Sequence, residues 1–491
     1  MLKSTFNILL ILIIVSCTNQ ETNNRNVDFD FNRIKERGKL IALTGYNAYS
    51  YFIYKGQPMG YEYELVNKLS EFLNVKLEIK IVKNIDKMFE MLYKGEGDLI
   101  AFNLTITKSR AKQVSFTTHH LTTRQVLVQR KPKNWRNMML HVIEKKLIRS
   151  TVDLIGKTIV VRNASAYLER LAHLSEEIGG NIKVIEADPE LTTDDLIEMV
   201  ANGEIDYTIA DKNVARLNQA YYSNIDFKTD ISLDQRVGWA VRKNAVQLRD
   251  TINYWLGKLK KKVDYYAIYN RYFKNRNAFR VRRSSLFFAS TSGKISKYDE
   301  LLKKYSKKIN WDWRLIASLI YQESQFNPNA KSWAGAVGLM QLMPSTIKQY
   351  KVNNPLDPVQ NIKAGIRHLN WLDRFWKKNI KNKFERAKFV LASYNVGLGH
   401  ILDARRLAIK FKADSTKWYN NVEKYLLKKS QKKFYNDPVV KYGYCRGIET
   451  SNYVKQIFNR YSHYKQFVIK DSIKTPPADS LAIPRKNNSK G

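Results

Sequence analysis

The sequence predicts an α/β unit followed by a mainly α unit. Between Gly38 and Phe273, short β-type runs such as KLEIKIV and GKTIVVRNAS alternate with helical patterns, and this alternation is typical of mostly parallel sheets. From Lys297 to Tyr464 the β-type runs disappear and apolar residues recur at helical spacing. The chain has 491 residues, more than a single hydrophobic core usually supports. We therefore expect two folded domains, joined by an irregular linker over residues 274–296.

The charge balance favours anionic partners without choosing among them. The chain carries 84 Lys and Arg residues against 45 Asp and Glu residues, a net charge of +39, which suits nucleic acid, anionic lipid or an acidic wall polymer. The lysines are scattered, and neither a zinc-finger spacing nor an RNA-recognition signature accompanies them, so we expect no nucleic-acid partner. The seven histidines form no metal-binding spacing, and the phosphate-binding loop motif is missing. We expect no metal and no cofactor.

The N-terminus has the pattern of an export signal. Lys3 precedes an apolar run that is too short to span a bilayer, and the run ends at IVSC, with Cys17 last. This end resembles a bacterial lipoprotein signal, which implies cleavage before Cys17 and lipidation of its thiol; an ordinary signal with a chance cysteine is the alternative. We expect a signal over 1–17, a tether over 18–32 and a flexible tail over 466–491. The resemblance implies a lipid-anchored protein on the periplasmic face of the outer membrane.

Three stretches of the first unit resemble the family-3 extracellular solute-binding proteins. They are GQPMGYEYELVNKLSEFLNVKLEI, GDLIAFNLTITKSRAKQVSFTT and GEIDYTIADKNVA, and the resemblance extends over residues 33–273. It implies a periplasmic-binding-protein-like domain of two α/β lobes that takes a small amino acid or peptide. Five polar residues are the candidates for holding that ligand: Asn103, Thr105, Arg110, Ser165 and Asp211.

Two of these candidates have the chemistry that a zwitterion requires. The planar guanidinium of Arg110 suits a ligand carboxylate, and the carboxylate of Asp211 can accept hydrogen bonds from an α-ammonium group. A structural ion pair for Arg110 and a helix N-cap for Asp211 remain open alternatives. Where the family has Gly-Thr, this chain has Ala164-Ser165, so the close backbone approach that glycine allows is in question.

In the second unit, Glu323 continues an apolar helical face. Leu315, Leu319 and Glu323 are spaced four residues apart and share one side of a helix. Burial there disfavours the ionised carboxylate and raises its pKa, which suits a general acid near neutral pH. We expect the helix to end near Asn327, before Pro328. A buried glutamate satisfied by its neighbours is the alternative.

A glycine-punctuated segment, AGAVGLMQLMP, follows this glutamate. Gly335 and Gly338 allow backbone to approach an extended ligand; the alternative is a core segment with Met340 and Met343 as filler. Other carboxylates offer no second residue for a hydrolase pair. Asp357 suits a turn or cap, Glu385 opens a helix, and Glu449, the best rival, suits a helix cap.

Four sequence blocks together resemble the lysozyme-like soluble lytic transglycosylase domain over residues 297–465. They are ESQFNPNAKSWAGAVGLMQLMPSTI, NIKAGIRHLNWL, VLASYNVGLGHILDAR and YGYCRGIETSNYVKQIFNRY. The resemblance implies that Glu323 is the single catalytic acid. It implies substrate-binding roles for seven further residues: Ser324, Gly338, Met340, Gln341, Tyr394, Asn395 and Tyr453. For Gln341, Asn395 and Tyr453, a packing role is the alternative.

The resemblance also implies a reaction. The β-1,4 bond between N-acetylmuramic acid and N-acetylglucosamine of peptidoglycan would be cleaved without water, leaving a 1,6-anhydro ring, with Glu323 serving as acid and then as base. This contrasts with the paired carboxylates of most glycosidases. Two alternatives remain: a muramidase that uses water, and a binding protein whose helical domain only grips glycan. If the chain is a lytic transglycosylase, we expect the first unit to regulate the enzyme through its ligand.

Overall fold

The computed structural model describes residues 30–284 and 294–467. The predicted signal with Cys17, nearly all of the predicted tether and nearly all of the predicted tail lie outside the described residues. Helix α1 begins at Phe31, inside the predicted tether, and the last helix continues to Phe467.

The first lobe of the α/β unit is built on a mixed sheet. Its strands lie in the order β4-β1-β5-β13-β6, and β7 also pairs with β13. Strands β1, β4 and β5 are parallel, whereas β13 runs antiparallel to β5. The strands β5 and β13 are apolar and largely buried, as expected for a sheet covered on both faces. The elements of this lobe are α1 (Phe31–Arg37), β1 (Lys39–Thr44), β2 (Phe52–Tyr54), β3 (Gln57–Met59), α2 (Tyr61–Phe72), β4 (Lys76–Ile81), α3 (Ile85–Tyr93), β5 (Leu99–Thr105), α4 (Lys108–Gln113), β6 (Ser115–Phe116), β7 (Leu121–Thr123) and β13 (Gln235–Val241).

The second lobe is built on a separate sheet of order β10-β9-β11-β8-β12. The chain enters it between β7 and β8 and leaves it between β12 and β13, so two crossings join the lobes. This confirms the predicted two-lobed α/β domain. Its elements are β8 (Gln125–Arg130), α5 (Leu140–Lys145), β9 (Thr158–Val161), α6 (Ala166–Glu177), β10 (Lys183–Glu186), α7 (Thr193–Asn202), β11 (Tyr207–Asp211), α8 (Lys212–Gln219) and β12 (Ile225–Asp226).

Part of the predicted irregular linker is helical. After α9 (Val246–Leu259) and α10 (Val263–Tyr269), helix α11 spans Arg276–Arg283. The side chain of Asn275 caps it by accepting from the backbone N–H of Ala278 at 2.9 Å. The expectation of irregular structure was wrong for this helix. The four arginines of α11 hide its helical periodicity in the sequence, and the buried ring of Phe279 stabilises it.

The second unit is helical, as predicted. Its central helix is α13, of whose 12 residues eight are buried, and α20 packs along it. The helices of this unit are α12 (Asp299–Ser306), α13 (Trp313–Ser324), α14 (Pro344–Tyr350), α15 (Pro358–Lys377), α16 (Lys383–Val396), α17 (Leu398–Lys410), α18 (Glu423–Lys428), α19 (Lys432–Tyr435) and α20 (Gly447–Phe467).

The two units meet at the β2–β3 hairpin. The hydroxyl of Tyr464 donates to the carbonyl of Gly56 at the hairpin tip, 2.6 Å away. The Tyr51 hydroxyl and His463 Nδ1 share a hydrogen bond of 2.5 Å. A side chain at Gly56 would collide with Tyr321 and Tyr464. The hairpin of the binding domain therefore packs closely on helices α13 and α20.

Candidate active site and ligand cleft

Glu323 lies in the last turn of α13. The side chain of Asp312 caps the start of this helix, accepting from the backbone N–H of Arg314 at 3.0 Å. The helix ends at Ser324, three residues before the predicted end, because Gln325 adopts a left-handed conformation with φ of 52°. Glu323 keeps a partly exposed edge, and burial of the rest raises the pKa of its carboxyl to about 7. A carboxyl with that pKa populates both protonation states near neutral pH, as an acid that later serves as a base requires.

Tyr453 is the hydrogen-bond partner of this carboxyl. It lies on α20, is 6% exposed, and its hydroxyl donates to Glu323 Oε1. The hydrogen bond favours the ionised carboxylate and opposes the effect of burial on the pKa. Helix α20 is held against α13 by Ser318, whose hydroxyl donates to the carbonyl of Ile457 at 2.8 Å. Tyr453, predicted as a substrate contact, thus lies against Glu323 with its hydroxyl bonded to the carboxyl.

Tyr394 and Asn395 bring the end of α16 to the same place. Burial and the nearby charge of Glu323 raise the pKa of Tyr394 well above its usual value, and its hydroxyl donates to the carbonyl of Met340 at 2.7 Å. Asn395 is exposed, and its Oδ1 accepts from the hydroxyl of Thr450 at 2.7 Å. Its Nδ2 makes no hydrogen bond within the described residues, so this amide remains available to a ligand.

The glycine segment is shaped mainly by the protein itself. Gly338 has φ of +82°, and a Cβ there would lie 2.2 Å from Asn361 Nδ2 and 2.5 Å from the carbonyl of Pro355. The expectation that Gly338 is small so that a ligand can approach was therefore wrong, since protein atoms occupy that side. Gln341 likewise uses its amide inside the turn, donating to the carbonyls of Ala330 and Gly338 at 3.1 and 2.9 Å.

Ser324 and Met340 also differ from the prediction of substrate contact. The buried hydroxyl of Ser324 donates to the carbonyl of Leu339 at 2.8 Å, which ties the glycine segment to the end of α13. The side chain of Met340 is fully buried and packs on Gly365, as the core-filler alternative expected. Both side chains contact protein atoms and position the segment beside Glu323.

Asn361, at the start of α15, organises this segment and escaped the sequence reasoning. It is fully buried. Its Oδ1 accepts from the backbone N–H of Met340 at 2.8 Å, and its Nδ2 donates to the carbonyls of Val337 and Pro355 at 3.0 and 2.7 Å. The signal for it was present, since Asn361 opens the quoted block NIKAGIRHLNWL.

The three rival carboxylates are engaged elsewhere. Asp357 caps α15 by accepting from the backbone N–H of Gln360 at 2.8 Å, which confirms the predicted cap. Glu385 lies in the first turn of α16, also as predicted. Glu449 is exposed and pairs with Arg446 at 3.2 Å, so it forms an ion pair and not the expected cap. Burial and Tyr453 account for the pKa of Glu323 without a second carboxylate.

In the binding domain, Asp211 and Asn103 meet between the two lobes. Asp211 ends β11 in the second lobe, and its Oδ2 accepts from Nδ2 of Asn103, on β5 of the first lobe, at 2.6 Å. Burial raises the pKa of Asp211 to about 7, while Asn103 and the charge of Arg110 lower it. Asp211 stands at the N-cap position of α8, but its side chain makes no capping hydrogen bond. The N-cap alternative is therefore right about the position of Asp211 and wrong about the role of its side chain.

Arg110 also joins the lobes. Its guanidinium donates to the carbonyl of Thr105 at 3.1 Å and to the carbonyl of Ala164, in the second lobe, at 3.0 Å. None of the ion pairs among the described residues includes Arg110, which argues against the ion-pair alternative. Ala164 adopts φ of +54°, so alanine takes the left-handed backbone that glycine would adopt more easily.

Thr105 and Ser165 complete the set of predicted cleft residues. Thr105 is 4% exposed. The hydroxyl of Ser165 donates to the carbonyl of Arg162 at 2.6 Å, within the turn before α6. Asn103, Arg110 and Asp211 thus make contacts between the lobes. Thr105 adjoins them through its carbonyl, which accepts from Arg110, and Ser165 follows Ala164 in the chain.

No group of three or more His, Cys, Asp or Glu side chains in residues 30–284 and 294–467 is arranged to hold a metal ion. Across the same two segments, no helix combines the length and apolarity needed to cross a membrane.

Two family models match the two domains of this chain. The family model of bacterial extracellular solute-binding proteins, family 3, matches residues 39–275, and that of the transglycosylase SLT domain matches residues 300–416. A mutant of ArgBP from T. maritima, a solved structure, is 26% identical and covers 50% of this chain and 98% of its own, with a TM-score of 0.42.

Two similar relatives are both described as membrane-bound lytic murein transglycosylase F. The one from Desulfosudis oleivorans is 35% identical over 434 residues, 88% of this chain and 91% of the relative. The one from Pseudomonas fluorescens is 33% identical over 431 residues, 87% of this chain and 85% of the relative. The chain therefore belongs to the membrane-bound lytic murein transglycosylase F family.

Proposed function

We propose that Glu323 performs both proton transfers of the peptidoglycan lytic transglycosylase reaction to which family membership assigns this chain. The observation that carries the proposal is the single, partly buried carboxyl of Glu323, whose pKa is about 7. Tyr453 donates a hydrogen bond to it where helices α13, α16 and α20 meet. Inverting and retaining glycosidases usually need two carboxylates that flank the bond. Each rival carboxylate has its own partner elsewhere: the backbone of Gln360 for Asp357, Lys388 for Glu385 and Arg446 for Glu449.

The reaction has two steps. In the first, protonated Glu323 gives its proton to the glycosidic oxygen, the bond from that oxygen to C1 of N-acetylmuramic acid breaks, and N-acetylglucosamine leaves with a free 4-hydroxyl. The substrate's own acetamido oxygen stabilises C1. In the second, ionised Glu323 takes the proton of the muramic 6-hydroxyl while that oxygen bonds to C1 and displaces the acetamido oxygen. A 1,6-anhydro ring results, no water is consumed, and the acid is restored.

The neighbouring residues support this use of Glu323. The hydroxyl of Tyr453 donates to the carboxylate, which stabilises the ionised form needed for the second step. We expect the exposed amide of Asn395 to hydrogen-bond a sugar amide. Tyr394, Ser324 and Gln341 hold the glycine segment that forms the wall beside the carboxyl.

The test is mass spectrometry of purified peptidoglycan digested by wild type and by Glu323→Gln. We expect anhydro-muropeptides from wild type and none from the variant. The matched control is Glu449→Gln, which removes an exposed carboxylate and is expected to keep the anhydro products. Reducing-end products from wild type would make the protein a muramidase. Equal release by wild type and Glu323→Gln would remove Glu323 from the mechanism.

The binding domain, on the same proposal, takes a small amino acid or peptide between Arg110 and Asp211 and thereby regulates the enzyme. Two buried acceptor atoms, Asp211 Oδ1 and Asn103 Oδ1, have no hydrogen-bond partner within the described residues, and an α-ammonium group supplies the donors that they lack. The cleft joins the lobes, and the β2–β3 hairpin of the first lobe packs on the catalytic helix. A ligand that favours one lobe arrangement can therefore shift the state of the helical domain.

Isothermal titration of the protein with amino acids and peptidoglycan stem peptides tests this regulatory role. We expect binding by wild type and its loss in Asp211→Asn. Absence of binding by every such ligand would end the sensor proposal and leave the enzymatic one intact.

The location is also a proposal. The sequence IVSC at Cys17 and the membrane-bound relatives support a lipid anchor on the periplasmic face of the outer membrane. Membrane fractionation of wild type beside Cys17→Ala tests it: wild type should sediment with outer membrane and the variant should not. Equal distribution of the two would contradict lipidation at Cys17.

A further inference from the structure

A second cavity lies at the junction of the two domains, separate from the ligand cleft. It has a volume of about 430 Å³, at the lower end of the range of small-molecule sites. Three elements form its walls: the β2–β3 hairpin, helix α11 and the end of the catalytic helix α13. Its polar and aromatic lining comes from Tyr54, Lys55, Gln57, Arg282, Tyr321 and Gln325.

Arg282 makes this cavity unusual. Its side chain is only 6% exposed, yet Nε and Nη2 have no hydrogen-bond acceptor within the described residues. The rings of Phe52 and Tyr272 lie 5.7 Å from the guanidinium carbon and compensate only part of the lost hydration. A buried guanidinium without an acceptor is costly, because its donors have left water and found nothing in exchange.

The next residue of α11, Arg283, is a buried arginine whose guanidinium does find hydrogen-bond acceptors. Arg283 is 7% exposed, and its guanidinium donates to Glu198 at 3.2 Å and to Tyr222 at 3.1 Å. Burial lowers the pKa of Arg282, and the negative charge of Glu64 is near enough to oppose that shift. The carboxylate of Glu64, however, accepts its hydrogen bonds from Arg271 and Tyr272. Arg282 therefore has no carboxylate of its own, although its neighbour does.

We propose that the cavity is a binding site for a short peptide that ends in a free carboxylate, with Arg282 holding that carboxylate. The guanidinium fork matches a carboxylate in two parallel hydrogen bonds. Lys55, on the exposed rim, adds a second positive charge, and no acidic side chain of the described residues lines the cavity. The carboxamides of Gln57 and Gln325 both donate and accept, which suits peptide amides, and the rings of Tyr54 and Tyr321 provide apolar walls.

The occupant would join the two domains. Gln325 lies two residues after Glu323, Arg282 lies on the connecting helix, and Tyr54 belongs to the binding domain. A peptide in the cavity therefore contacts all three elements and stabilises the observed packing of the hairpin on the catalytic helix. This site requires only the carboxylate end of a peptide, whereas the cleft at Asp211 requires an ammonium group.

The experiment uses the full-length protein in detergent and four probes: diglycine, N-acetyldiglycine, glycylglycinamide and inorganic phosphate. N-acetyldiglycine keeps the carboxylate and lacks the ammonium group, so it reports on this cavity and not on the cleft. We expect it to raise the melting temperature saturably and to bind in titration calorimetry, whereas glycylglycinamide, which lacks the carboxylate, should do neither in a protein whose cleft carries Asp211→Asn. Equal binding of phosphate would overturn the assignment to peptides and leave a general oxyanion site.

The variants are Arg282→Met, Arg282→Lys and, as a matched control on the exposed side of the same helix, Arg280→Met. Loss of a charge-assisted hydrogen bond weakens binding roughly tenfold to a hundredfold, so both Arg282 variants should lose N-acetyldiglycine to that extent while Arg280→Met retains it. Without added peptide, Arg282→Met should melt no lower than wild type, because it removes an unsatisfied charge. Retained binding in Arg282→Met, or a melting temperature several degrees lower, would overturn the proposal.

Discussion

Replacing Tyr453 by Phe separates the two influences on the pKa of Glu323. Burial raises that pKa to about 7, and the hydrogen bond from Tyr453 lowers it. The substitution removes the hydroxyl and keeps the ring, so burial persists without the hydrogen bond. We therefore expect the carboxyl of Glu323 to have a higher pKa in Tyr453→Phe than in wild type.

The size of the shift follows from the kind of hydrogen bond that is lost. A hydrogen bond to a charged group contributes about 1.5–3 kcal/mol, and one between neutral groups about 0.5–1.5 kcal/mol. The ionised carboxylate thus loses on the order of 1 to 1.5 kcal/mol more than the protonated acid does. Since one pKa unit corresponds to about 1.36 kcal/mol, the expected rise is about one unit.

The assay is the initial rate of anhydro-muropeptide release as a function of pH. The first step needs protonated Glu323, so the rate falls as pH rises through the pKa of the carboxyl. This alkaline limb should lie about one pH unit higher in Tyr453→Phe. The matched control is Tyr394→Phe, which removes a hydroxyl bonded to the carbonyl of Met340 and should lower the rate without moving that limb. An unmoved or lowered limb in Tyr453→Phe would refute the reasoning.

Four further predictions concern the glycine segment and the cleft. Gly338→Ala should have a melting temperature well below that of Gly335→Ala. Both glycines have φ of +82°, but the nearest heavy atom to the added Cβ is 2.2 Å away at Gly338 and 3.6 Å away at Gly335. Equal melting temperatures of the two variants would contradict the steric argument. Because the pKa of Asp211 is raised to about 7, binding of an ammonium ligand must expel a proton below that pH. Its affinity should therefore fall as pH drops, up to about tenfold per unit, in calorimetric titrations, and a pH-independent affinity in this range would contradict it. The same raised pKa means that Asp211 stabilises the fold below its unfolded pKa and that this contribution is lost as pH rises through 7. Asp211→Asn should therefore flatten the decline of unfolding free energy with rising pH, measured by chemical denaturation. An unchanged decline would count against this role of Asp211. Ser324→Ala should cost about 1–3 kcal/mol of unfolding free energy by leaving the carbonyl that its hydroxyl satisfies unpaired, and denaturation showing no loss would contradict that role.

The raised pKa of Glu323, the proposed catalytic carboxylate, was predictable because its evidence is local, whereas its catalytic role was inferred from the resemblance of four sequence blocks. The spacing of Leu315, Leu319 and Glu323 establishes one helical face within nine residues, and burial on that face raises the pKa whatever lies opposite. The alternation of strands and helices is equally local, which is why the two-lobed domain and the helical domain were both anticipated. Helix α11 was missed because a single buried ring, Phe279, secures it among arginines.

The roles of the other site residues depend on partners distant in the chain, and only the tertiary structure decided them. Tyr453 donates to Glu323 across 130 residues, and Asn103 meets Asp211 across 108. Gly338 and Ser324 were assigned to substrate from their position in a motif, but the atoms that the fold brings next to them belong to the protein. A polar group satisfies its hydrogen bonds with whatever the fold places nearby. By itself, then, the sequence determined which residues carry charge and which helix faces are apolar, whereas the packing of distant elements decided which of those groups meet.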